Sequence, residues 1–111
     1  MTEQLLKYGV IADGSLRIAY EKGEIKERYW NPGDIFDEVH VLTLADDDIE
    51  PEKVQPMAGR ARLRIYPIGK PRPHNLLTLR RRAEQTLQQI APDIIRGHGP
   101  FLQGYFAVRA A

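Results

Sequence analysis

The sequence predicts an α/β domain built on an open parallel sheet flanked by helices. Short apolar runs recur at Leu5 to Ala12, Val39 to Leu44 and Asp93 to Arg96, each bounded by turn residues. Between the runs lie stretches with helical periodicity, the clearest being Leu76, Leu79, Ala83, Leu87 and Ile90 on one stripe. Strands that alternate with helices argue for parallel pairing through right-handed crossovers.

Leu5 to Ala12, centred on Gly9-Val10-Ile11-Ala12, is apolar on both faces, the mark of a central strand. Asp13-Gly14-Ser15 breaks it, and Ser15 is a cap for the helix that follows. That helix is expected to run from Leu16 towards Tyr29-Trp30, with Gly23 weakening its middle by about 1 kcal/mol. Asn31-Pro32-Gly33-Asp34 is a stop and turn. Val39 to Leu44 is the second strand, entered through Asp37-Glu38.

Asp46 to Gly59 reads as a polar loop with room for one helical turn. Arg62-Leu63-Arg64-Ile65-Tyr66 alternates polar and apolar, so one face is wet and the strand belongs at the sheet edge. Lys70-Pro71-Arg72-Pro73-His74 is too proline-rich for a regular element, Asn75 caps the long helix, and Pro92 ends it. The expected strand order is 3-2-1-4, which makes the sheet Rossmann-like.

Composition narrows the function. At 111 residues the chain is one small domain. A net charge of +1 supplies no basic field for nucleic acid. Cysteine is absent, which excludes disulfides and thiolate metal sites and fits a reducing compartment. Met1-Thr2-Glu3-Gln4 lacks the basic and apolar regions of a signal peptide, and no apolar run nears the roughly 20 residues of a membrane span. A soluble, cytoplasmic chain is expected.

The segment Pro92-Asp93-Ile94-Ile95-Arg96-Gly97-His98-Gly99-Pro100-Phe101 carries the strongest functional signal. A buried strand ends in a glycine-flanked histidine, and Pro100 is pre-set for the first turn of a new helix. Open α/β sheets bind ligands outside the carboxyl ends of their strands, where His98 is expected to sit.

Three passages resemble the N-terminal half of family-four-like (group one) glycosyltransferases, which have the two-domain GT-B fold. Phe36-Asp37-Glu38-Val39-His40-Val41-Leu42-Thr43-Leu44 resembles the family's second strand, usually a glycine-histidine-glutamate-valine run. Pro92 to Gly99 resembles its "PDvIhaHg" strand and turn, and Gln103-Gly104-Tyr105 to Ala111 its small-residue helix. The family commonly has a glycine pair after the first strand; this chain has Asp13-Gly14-Ser15, with one glycine. Nor is Glu21 to Asp34 the usual first helix; it suggests a particular subgroup.

The resemblance implies an acceptor-side domain of an enzyme that transfers a sugar from a nucleotide-sugar donor to a glycan or lipid-linked acceptor. Retention of configuration, no bound metal and no cofactor are implied with it. Asp13, Gly14, Gly97, His98, Gly99, Pro100 and Phe101 are the expected lining of the interdomain cleft, positioning the acceptor and the reacting sugar. No catalytic residue is assigned, since the family's histidine and donor-gripping glutamate fall beyond the position of Ala111. The helical pattern at Ala111 carries no stop signal, so a donor-binding domain is expected to follow it. A stand-alone Rossmann-like binding module and a nucleotide-sugar epimerase are the alternatives. A dinucleotide oxidoreductase is disfavoured because no G-x-G-x-x-G follows the first strand.

Several side chains have two readings. His98 is either a hydrogen-bonded loop residue or a cleft residue. Asp46-Asp47-Asp48 suggests a divalent-metal motif, but in a loop with Glu50 and Glu52 it is better read as a solvated charge run. His40 and His74 show no ligand spacing with each other or with His98. Arg80, Arg81 and Arg82, with Lys70 and Arg72 upstream, form a basic patch beside a leucine stripe. It is read as a solvated helix face, or as a contact with anionic lipid headgroups at the inner membrane surface. Trp30, Tyr29 and Phe36 are read as core rather than as a sugar platform.

Overall fold

A computed structural model describes residues 6–12 and 14–97. Four strands form one all-parallel sheet: β1 (Lys7–Ala12), β2 (Glu38–Thr43), β3 (Arg62–Pro67) and β4 (Ile94–Gly97). Their order is β3-β2-β1-β4, as the sequence predicts. Helices α1 (Leu16–Glu21), α2 (Pro51–Val54) with its 3-10 continuation (Gln55–Ala58), and α3 (Leu76–Ile90) connect successive strands. The chain therefore folds as a Rossmann-like α/β domain.

The period-two alternation of each strand sorts the core into two layers. Tyr8, Val10, Val39, Val41 and Leu63 face one side, where Leu16 of α1, Val54 of α2, Trp30 and Met57 cover them. Ile11 and Leu42 face the other and pack against Ala83, Leu87 and Ile90 of α3. The stripe read from the sequence is buried at Leu79, Ala83, Leu87 and Ile90. β3 is an edge strand: Leu63 is buried on its covered face, while Arg62 and Arg64 are exposed.

β4 meets β1 through a close approach. Pro92, after the left-handed C-cap Ala91 of α3, lies against Gly9, where a Cβ would come within 3.2 Å of its ring. Glycine in a central strand here admits the chain that returns to start β4.

The first helix is shorter than expected. α1 ends at Glu21, and Gly23 takes a left-handed φ of 70° just beyond its cap Lys22. Gly23 N–H donates to Tyr20 and Glu24 N–H to Ala19. This is the reciprocal closing pattern for which glycine is favoured, so Gly23 stops the helix rather than weakening its middle. The chain from Glu24 to Asp37 is irregular, and Trp30 anchors it by burying its indole and by a bond from its backbone N–H to the Met57 carbonyl. Asn75 occupies the N-cap position of α3, but its side chain bonds the Arg72 N–H and the Lys70 carbonyl instead of the helix.

Candidate functional site

In a parallel sheet the loops that follow the strands all leave from one edge. β1 and β4 are neighbours with Ile11 opposite Gly97, so their carboxyl ends lie side by side where the strand order reverses. Of the expected cleft residues, Gly14 is half-buried at this edge and Gly97 ends β4. Asp13, His98, Gly99, Pro100 and Phe101 lie outside the described residues.

The edge carries a crevice of about 540 Å³ that opens towards β3 rather than β4. The loop after β1 contributes Gly14 and Ser15, and the start of α1 contributes Arg17 and Ile18; the loop after β2 contributes Leu44 to Asp47; the loop after β3 contributes Lys70 and Pro71. Arg17, Asp46, Asp47 and Lys70 were not among the residues expected from sequence. Their signal was available, because each follows a strand by only a few positions and that edge is where a parallel sheet binds.

The aspartate triplet is solvated at Asp46 and Asp47, as its charge-run reading expects, while Asp48 turns inward. Asp46 accepts from the Arg72 guanidinium at 2.9 Å and from the Lys70 N–H at 3.0 Å. These two bonds, the arginine's first, hold its carboxyl below the usual carboxylate range. Asp47 is exposed and pairs with Arg17 at 3.1 Å. Asp48 turns inward to the start of α1, where it accepts from Leu16 N–H, Arg17 N–H and the Ser15 hydroxyl. Ser15 in turn accepts from Arg17 N–H, the cap its sequence predicted.

The amino end of α1 is thus satisfied by a carboxylate of the same chain. The carboxylates diverge, and no group of three or more His, Cys, Asp or Glu able to hold a metal ion occurs among the described residues.

The basic patch also divides. Lys70 lines the crevice, and Arg72 is held beside it by Asp46. Arg80 pairs with Glu84, and Arg82 donates to the Ile68 carbonyl at 2.9 Å. The stripe beside them is buried against the sheet and leaves lipid no continuous apolar face there. The described residues contain no helix long and apolar enough to cross a membrane. Among the aromatics, Trp30 is core and half-buried Phe36 stacks on Tyr8 with centroids 4.8 Å apart, but Tyr29 is 47% exposed, contrary to its core reading.

His40 is the titratable group that spacing arguments passed over. It is buried on β2, with Nε2 2.7 Å from Glu38 and Nδ1 2.8 Å from the Tyr66 hydroxyl. A neutral ring with its proton on Nε2 satisfies both bonds, donating to the carboxylate and accepting from the phenol. Burial lowers its pKa below the ordinary 6.5, against the opposing pull of Glu38. Lys7 and Arg64 add to the lowering, while burial pushes the Tyr66 hydroxyl up.

The unfolded chain therefore takes up this proton first. The stability contributed by neutral His40 is present above about pH 6.5 and is lost as pH falls towards the folded value. Urea midpoints measured from about pH 7.5 down to about pH 5.5 are expected to fall, and to fall less in His40→Gln. Equal slopes in both proteins would assign the pH dependence to other groups.

The fold and its edge crevice define a Rossmann-like domain with an opening of small-ligand size. No protein-family model, curated protein or solved structure matches the chain.

Proposed function

We propose that this domain is the acceptor-side half of a GT-B glycosyltransferase. It would take a sugar from a nucleotide-sugar donor to a glycan or lipid-linked acceptor, retaining and without a metal. One observation supports the reading: β1 and β4 are paired parallel strands that end at one carboxyl edge, and β4 carries the family-like Pro92 to Gly99 run to that edge. The resemblance at Phe36 to Leu44 and at Pro92 to Gly99 turns that geometry towards sugar transfer. Fold likeness alone serves many chemistries, so the reading stands on the loops and not on the sheet.

In this reading Gly14 and the Gly97-His98-Gly99 turn wall the acceptor side, and the donor is gripped by a second domain. His98 positions the acceptor, and catalysis is assigned to no residue of this chain. The protein is expected to move label from a nucleotide sugar to an added acceptor with the anomeric configuration kept and with chelator tolerated. His98→Ala is expected to raise KM for the acceptor while leaving Tm within about 2 °C, because a loop at the cleft contributes little packing. Conversion of the nucleotide sugar to its epimer without an acceptor would favour the epimerase. Loss of fold in His98→Ala would return the histidine to a structural role.

A further inference from the structure

The crevice joins opposite charges in close pairs, and that balance bears on what it can hold. Arg17 is held by Asp47 and by the Asp48 carbonyl at 2.7 Å. Arg72 is held by Asp46, and the first N–H groups of α1 by Asp48. Of the charged groups lining the crevice, Asp46 and Asp47 thus balance Arg17 and Lys70, and the Lys70 ammonium makes no ion pair within 4 Å among the described residues. A phosphate entering here would meet Asp46 and Asp47 beside the lysine, and Arg17 would have to leave Asp47 to reach it.

An uncharged ligand meets no such conflict. Asp47 has a side chain 81% exposed and one carboxylate oxygen outside its ion pair. It can accept from a hydroxyl while the Lys70 ammonium donates to the next one. Ile18, 52% exposed, and Pro71 add apolar surface for the C–H face of a ring. Alternating donors and acceptors beside an apolar patch match the adjacent hydroxyls and hydrophobic face of a sugar or cyclitol.

We infer that this crevice holds a neutral, hydroxyl-rich ring of the acceptor and excludes its phosphate groups. The inference rests on the crevice being the acceptor wall of the proposed transferase.

The test follows backbone amide resonances of the protein during titration with methyl α-mannoside, myo-inositol or inorganic pyrophosphate. One of the neutral probes is expected to shift Gly14, Ser15, Ile18, Asp47 and Lys70, and pyrophosphate to leave them in place. Asp47→Ala is expected to weaken the neutral probe roughly tenfold, as loss of a charge-assisted hydrogen bond does. Asp47→Lys is expected to gain pyrophosphate binding at the same amides. The side chain is exposed, so both variants should keep the parent melting curve.

Pyrophosphate binding in the parent protein, or no response to either neutral probe, overturns the inference. Sugar transfer to a phosphorylated acceptor that depends on Lys70 would overturn it while leaving the transferase reading in place. Neutral-ring binding by a protein that consumes no nucleotide sugar would uphold the inference and sink that reading.

Discussion

Replacing Asn31 with alanine is expected to lower the stability of the domain by about 3 kcal/mol. The side chain is fully buried. Its Nδ2 donates to the carbonyls of Ala58 at 3.0 Å and Phe36 at 3.3 Å, and its Oδ1 accepts from Phe36 N–H at 3.1 Å. Alanine leaves the Phe36 and Ala58 groups in an interior that offers no replacement, and each such group costs about 1–3 kcal/mol. For a domain of this size the loss corresponds to a drop in Tm of roughly 15 °C. The cost should appear in the unfolding rate and midpoint with no change in m-value. A change below about 1 kcal/mol would mean that water replaces the amide and that the loop is not fixed from inside.

The second large effect is expected at Asp48. Asp48→Ala removes an acceptor shared by Leu16 N–H, Arg17 N–H and the Ser15 hydroxyl, and should cost about 2 kcal/mol. Asp48→Asn keeps an oxygen acceptor and loses the charge, so it should fall between the parent and alanine. Ser15→Ala alone should cost about 1 kcal/mol. The double variant should cost less than the sum of the singles, because both side chains serve the same helix end. Chemical unfolding of the four proteins measures this. Strict additivity would show that Ser15 and Asp48 act independently.

These two residues also mark how far the sequence could be read. The strand order followed from local pattern alone: continuous apolar runs for β1 and β2, alternation in β3, and a short run leaving Pro92 for β4. The stripe of α3 was equally plain, because its period survives fifteen residues. Asn31 and Asp48 were not legible as they act. Each bonds groups that are distant in sequence or hidden by the fold, at separations of 27 and 32 residues, and no local periodicity encodes that.

Gly23 was misread for a different reason. A glycine inside an expected helix and one just past a short helix look alike until the helix length is known. The candidate site divides in the same way. Its glycine loops announce themselves by residue type, whereas Arg17, Asp46, Asp47 and Lys70 resemble ordinary surface charges until three strand ends bring them together. The basic run at Arg80 to Arg82 is the half-solvated helix face its first reading expects, while the adjacent Leu79 and Leu87 are buried.

Ligands are expected to meet this domain at the carboxyl edge of the sheet. The most direct test is a residue-by-residue map of amide perturbations in the protein on addition of an acceptor that supports sugar transfer. Shifts are expected to concentrate at Gly14, Ser15, Asp47 and Lys70, with Gly97 responding from the neighbouring strand. Shifts confined to the edge strand and the groove between Tyr66 and Gln89 would contradict it, because that surface lies along β3 and α3, outside the crevice formed by the strand-end loops.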